Sequence, residues 1–395
     1  VNRCKKPHKE SSQAKFIFRE KIILWKRGVV MKEKYPIIMA GIVLGIMSIL
    51  LVLQGNPANM GFCIACFLRD IAGGLGLHRA GVVQYLRPEI MGLVLGAFVS
   101  ALFFQEFKSR GGSSVLLRFT LGAFMMMGAL IFLGCPLRMI LRIAGGDFNA
   151  LVALPGYIFG IWVGTLFLKQ GYTLGPAAEQ PQSNGLVGPF LSLGLLLLVV
   201  MAPAFIFFSA EGPGSMKAPL LVSLAAGLLV GFVAQRTRLC TMGAFRDLLL
   251  FRDYHLFSGI AALFVVVLAG NLLYGFFNPG FSSQPVAHSQ DLWNFLGMGI
   301  VGLAAVLAGG CPLRQLILTG EGNADAFATI LGTILGAAIM HNFGWAASPK
   351  GVTPGGQIMV IIIWILLLVI AWAVTRQAKK YLDKKKTEIS SDFGA

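Results

Sequence analysis

The pentapeptide GCPLR occurs twice in this 395-residue chain, at 134–138 and 310–314, alongside two related cysteine segments, CIACFLRD at 63–70 and CTMGAFRD at 240–247. In GCPLR the glycine ends an apolar run, and the proline suits the first turn of a new helix, where no N–H partner is needed. The cysteine then occupies the cap position. A helix beginning there aims its free N–H groups at the thiol and at any anion beside it. Arg138 and Arg314, within the first turn, offer an oxyanion a fixed positive fork. A thiol is a weak donor and a soft, polarizable acceptor. A file of thiols therefore suits thiosulfate, selenide or selenite better than sulfate, which backbone and hydroxyl groups serve.

Each of these residues has a plainer reading. Cysteine is often buried simply as a small hydrophobe, although the pairing of Cys with Arg in repeated motifs argues against that here. Arg69 with Asp70, and Arg246 with Asp247, can be structural ion pairs that make buried charge tolerable. Asp147, Glu321 and Asp325 are expected chiefly as helix caps. Cys63 and Cys66 form a CxxC, a spacing used by redox pairs and zinc sites. In the second segment the matching residues are Cys240 and Gly243, so the second thiol is dispensable to the plan. His78, His255, His288 and His341 are scattered and expected to be solvated or locally satisfied. No cofactor, no metal and no phosphate-binding loop is expected.

The elements that position these residues follow from composition. The chain is 56% hydrophobic and 13% charged, with a mean hydropathy of +0.75, whereas soluble domains are about 25% charged. This predicts an all-α polytopic membrane protein of about ten spans, near 36–54, 89–107, 115–133, 149–168, 186–209, 218–235, 256–277, 292–310, 324–346 and 357–375. The Cys segments are too short and broken to span. They are expected as short, re-entrant helices, since irregular backbone at membrane depth survives only inside protein or beside a wet cavity. The net charge of +16 is concentrated at the ends, with 11 Lys/Arg against 3 acids in residues 1–35 and 6 against 3 in 376–395. That excludes a nucleic-acid partner as the main reading and, by the positive-inside rule, puts both termini in the cytoplasm. Residues 1–30 are expected as a leader, with Met31 as the natural start and no role for Cys4.

CIACFLRD lies over CTMGAFRD at an offset of 177, and the two GCPLR motifs are 176 apart. Gly156 and Gly160 match Gly332 and Gly336 at the same spacing. The chain thus divides into repeat one at about 36–169, a linker at 170–188, an extra span at 186–209, repeat two at about 217–348, a final span at 357–375 and a basic tail at 376–395. One unpaired span between the repeats makes them inverted and pseudo-symmetric, a plan that places substrate near the midplane at broken helices. Cys63 and Cys135 would then approach from outside, Cys240 and Cys311 from inside.

On these motifs and this duplicated layout, residues 36–375 resemble the YeeE/YedE family of membrane proteins, most closely its selenium-associated branch. The resemblance implies an hourglass-shaped inner-membrane importer, not an enzyme, that passes a selenium- or sulfur-containing anion along cysteines through S–H hydrogen bonds. It implies that Cys63, Cys66, Cys135, Cys240 and Cys311 line the path, with Arg69, Arg138, Arg246 and Arg314 as anion attractors. It also implies delivery to a small cytoplasmic TusA-like sulfurtransferase of the YedF type. Two other functions stay open from the residues: a membrane thiol-disulfide oxidoreductase using Cys63 and Cys66, and a scaffold that transports nothing.

Overall fold

The computed structural model describes residues 35–392, with side chains described to residue 380. The expected leader and Cys4 lie outside the described residues. The chain forms α1 (Tyr35–Leu53), α2 (Ile64–Gly74), α3 (Pro88–Phe103), α4 (Val115–Phe132), α5 (Pro136–Ala144), α6 (Phe148–Lys169) and α7 (Gln182–Met201). It continues through α8 (Leu220–Thr237), α9 (Thr241–Phe251), α10 (His255–Leu273), α11 (Asp291–Ala308), α12 (Pro312–Gly320), α13 (Ala324–Asn342) and α14 (Pro354–Asp392). Strands β1 (Arg110–Gly111) and β2 (Ala178–Glu179) pair antiparallel and tie the linker to the α3–α4 turn. Among the described residues, nine helical stretches are long and apolar enough to cross a bilayer, and α3, at 16 residues, is a shorter apolar helix. The protein is therefore an all-α, multi-pass membrane protein.

Every expected span corresponds to one of these helices, with shifts at the ends. Helix α7 begins at Gln182, inside the expected linker, and stops at Met201 rather than 209, because Ala202 adopts a left-handed cap (φ 41°). The final span and the basic tail form one continuous helix, α14, in the backbone. Leu116, Leu221 and Leu273 are 76%, 75% and 81% exposed, and Ile358, Ile361, Ile365 and Trp372 give α14 a similar face, so apolar side chains cover the surface that lipid would touch.

Lipid supplies no hydrophobic drive between helices, so close packing depends on small residues. Helix α6 packs on α11, and α13 on α4, in the same register. A Cβ at Gly156 would meet the Phe295 carbonyl and one at Gly160 the Gly299 carbonyl; one at Gly332 would meet the Phe119 carbonyl and one at Gly336 that of Ala123. Phe119 and Ala123 precede Phe295 and Gly299 by 176 residues, the motif spacing. Helix α3 packs on α8 by similar contacts, through Gly96 and Gly231, and α1 on α10 through Gly41. The short helices α2, α5 and α12 are held inside this frame, and α9 begins inside it and emerges at Leu249 and Phe251.

Candidate functional site

Each short helix has a cysteine at its N-cap: Cys63 for α2, Cys135 for α5, Cys240 for α9 and Cys311 for α12. The four caps are of two kinds. Cys63 Sγ accepts the Cys66 N–H at 3.3 Å and Cys240 Sγ accepts the Gly243 N–H at 3.3 Å, so these thiols cap their own helices. Cys135 and Cys311, each followed by proline, make no cap bond. They are placed against the capping thiols: Cys135 neighbours Cys63, and Cys311 lies 3.6 Å from Cys240, Sγ to Sγ. All five described cysteines are free and buried. Among the described residues no three His, Cys, Asp or Glu side chains come together as a metal set.

The glycine of GCPLR has a second use beyond ending a helix. A Cβ at Gly134 would meet Arg138 Cδ at 3.0 Å, and one at Gly310 would meet Arg314 Cγ at 3.2 Å, so each glycine makes room for the arginine of its own motif. The residues before them, Leu133 (φ 61°) and Gly309 (φ 82°), both take the left-handed conformation at the end of their helices. That conformation is costly for leucine, about 1–2 kcal/mol. At Leu133 the turned carbonyl accepts from both the Cys66 thiol, at 3.7 Å, and Arg138 Nη1.

The four expected arginines have different surroundings. Arg138 is fully buried and has no carboxylate partner among the described residues; the carbonyls of Leu133, Asn59, Pro285 and Val286 receive its N–H groups, and Nη1 reaches Cys66 Sγ at 3.8 Å. Arg69 gives Nε and Nη2 to Asp70, whose other oxygen takes Arg87 Nε at 2.8 Å. This triad carries one net positive charge. Arg314 pairs with Glu321 at 2.9 Å, and Arg110 approaches the same carboxylate at 3.6 Å. Arg246 pairs with Asp247 at 2.8 Å with its side chain 31% exposed. Thus Arg138 stands at the first thiol pair and Arg69 close by, while Arg246 and Arg314 are held in ion pairs of their own.

The acids expected as caps are structural. Asp147 caps α6 and holds Arg142 at 2.6 Å, and Asn323 caps α13. Asp325 instead receives the N–H groups of Gly112 and Ser113. His78 and His288 are satisfied locally, each by a carbonyl at Nε2 and a backbone N–H at Nδ1. His341 is not: its Nε2 is buried without a partner. A cavity of about 270 Å³ lies beside it, lined also by Arg69, Leu133 and Val286. Leu133 connects that cavity to the Cys66 thiol.

One residue that the spacing did not mark lies at the second thiol pair. Tyr157, on α6 and fully buried, stands near Cys135, Cys240 and Cys311, and its hydroxyl lies 3.5 Å from Thr241 Oγ1 at the start of α9. The available signal was a single phenol inside an apolar span, since a buried hydroxyl must find a partner.

Paired thiols at helix N-termini, with a cavity lined by a guanidinium close to the first pair, are chemistry for a soft anion. The model of one family, described as sulphur transport, matches residues 3–136 and 236–393, well over half of the chain. The chain belongs to the sulphur transport family. Membership groups it with transport proteins rather than enzymes. It is 37% identical over 130 residues to the thiosulfate transporter TsuA of Spirochaeta thermophila, covering 32% of this chain and 39% of that protein. It is 26% identical over 176 residues to the thiosulfate transporter TsuA of Escherichia coli K12, covering 42% of this chain and 49% of that protein. The matches thus span less than half the length of these relatives. The family segments contain all five thiols of the site, Cys63, Cys66 and Cys135 in the first and Cys240 and Cys311 in the second, whereas Tyr157 lies between them.

Proposed function

We propose that this member of the sulphur transport family imports a small, soft sulfur or selenium anion, handed along Cys63, Cys135, Cys240 and Cys311. Thiosulfate is the first candidate, and selenite or selenide the second. The observation that carries this reading is the pairing of a capping thiol with a non-capping one in each half of the chain. A thiol that caps its own helix is fixed. The non-capping partner keeps its S–H free to donate to a passing sulfur or selenium atom, and the four helix N-termini supply positive potential throughout. Arg138, whose charge is met only by carbonyl dipoles, favours an anion at the first pair. Cys66 donates to the Leu133 carbonyl and so acts as a support beside the path. The complete burial of Cys63 and Cys66 disfavours the oxidoreductase reading, because exchange with a soluble partner needs an accessible sulfur.

The reciprocal packing of α6 on α11 and α13 on α4 supports two inverted repeats related about an axis in the membrane plane. In this reading the protein sits in the bacterial inner membrane with both termini cytoplasmic. The Arg69 cavity opens outward, Arg314 and Arg246 face the cytoplasmic side, and a TusA-like sulfurtransferase of the YedF type receives the cargo. Uptake of radiolabelled thiosulfate, selenite, selenide and sulfate into proteoliposomes tests the substrate class. The expected result is accumulation of at least one of the first three and not of sulfate. Equal accumulation of sulfate and thiosulfate would remove the role of sulfur softness.

A further inference from the structure

Two residues that line the cavity beside α2 each carry a nitrogen with no partner among the described residues. Arg69 commits Nε and Nη2 to Asp70, leaving Nη1 without an acceptor among the described residues. His341 Nε2, at the end of α13, is buried with no partner. Both residues line the same space of about 270 Å³, together with Ala80, Ala346, Ser348 and other small side chains. A buried polar group left unmatched, as His341 Nε2 is, costs about 1–3 kcal/mol, and the cavity beside it and Arg69 has room for an acceptor.

The neighbouring ring defines what that acceptor is. His341 stacks on His78, with ring centroids 4.5 Å apart and planes at 29°. His78 Nε2 faces the Arg69 carbonyl at 3.0 Å and Nδ1 receives the Ala80 N–H at 3.3 Å. A nitrogen that accepts an N–H has no room for a proton, so these partners hold His78 as the neutral ring with its hydrogen on Nε2. It fixes the plane of His341 without repelling a charge there. The cavity is thus lined by a guanidinium and an imidazole, with no carboxylate in its wall, and an acceptor there would be served by Arg69 Nη1 and by the His341 tautomer that carries its hydrogen on Nε2.

We propose that Arg69 and His341 form a docking site for a divalent sulfur or selenium oxyanion, gripped by its oxygens before its soft atom reaches the thiols. This rests on the import reading above and adds a step to it. Nitrogen donors of this kind recognise charge and oxygen, whereas thiols recognise softness. Sulfate therefore occupies the docking site and does not proceed, and selection takes place in two stages.

Competition in proteoliposomes carrying the full chain is the test, with radiolabelled thiosulfate as cargo and unlabelled sulfate as competitor. In the wild type, sulfate competes with thiosulfate without being accumulated. His341→Leu, which removes the donor, raises the half-saturating thiosulfate concentration and the sulfate inhibition constant together by about tenfold, while the maximal rate stays within about twofold. His341→Gln, which keeps an N–H, stays close to the wild type. Should His341→Leu fail to fold, Ala80→Phe, which fills the cavity, is expected to weaken sulfate binding to the purified protein by the same factor. Half-saturation and sulfate inhibition unchanged in His341→Leu, or sulfate binding unchanged in Ala80→Phe, would overturn the docking site. A wild type that binds sulfate but takes up no thiosulfate would contradict the import reading and leave docking supported.

Discussion

The same five residues, GCPLR, build two different places. At 134–138 the arginine is fully buried, is met only by backbone carbonyls and touches a third thiol, Cys66. At 310–314 the arginine is neutralised by Glu321, and the residue matching Cys66 is Gly243. The Arg–Asp pairs differ likewise: Asp70 is buried between Arg69 and Arg87, whereas Asp247 pairs, among the described residues, with Arg246 alone and is partly exposed. Duplication preserved the helix starts and the thiols and let the charges diverge. The charge without a carboxylate partner among the described residues is Arg138, beside the first pair, whereas Arg314 beside the second shares Glu321 with Arg110, a difference that suits tighter anion binding at the first pair.

The largest expected effect tests the buried triad. Asp70→Asn leaves two guanidinium groups without a counter-ion and is expected to cost about 3–5 kcal/mol, whereas Asp247→Asn costs less than about 1 kcal/mol. Thermal unfolding in detergent compares the two, and equal losses would break the distinction between the halves. Next come the paired glycines. Gly160→Ala and Gly336→Ala each drive a Cβ into a facing carbonyl, so each is expected to destabilise by about 1–3 kcal/mol, and similar values would sharpen the reciprocity of the two interfaces. Arg138→Gln is expected to lower thiosulfate uptake about tenfold, by loss of a charge-assisted contact of about 1.5 kcal/mol. Glu321→Gln, which frees Arg314 and makes the second level resemble the first, should slow release and reduce the maximal rate only about twofold to threefold. The smallest change is expected from Cys66→Ser, because Gly243 stands in its place in the other half; uptake should remain within about threefold of the wild type.

Much of the frame was legible in the sequence, because lipid leaves few choices: apolar runs of span length became helices, and Gly-Cys-Pro marked where new ones start. The short helices followed from breaks at cysteine, and the cap positions of Cys135 and Cys311 from the proline after each. Side-chain partners were not legible in this way. Nothing in CIACFLRD says that Asp70 serves Arg87 as well as Arg69, since Arg87 lies across a loop. Arg138 and Arg314 look identical until Glu321 and the carbonyls of Pro285 and Val286 are brought near them by the fold. Tyr157 and His341 carry no motif at all, and their meaning depends on helices α6 and α13 meeting α9 and α2.

The central claim is that the two non-capping thiols touch the same cargo in succession. Its most direct test is uptake of radiolabelled thiosulfate into proteoliposomes by folded Cys135→Ala and Cys311→Ala proteins, measured beside the wild type. Loss of uptake by about a hundredfold or more in each single variant, with the double variant no worse, is the predicted result for two steps in one series. Uptake by either single variant at the wild-type rate would contradict the account.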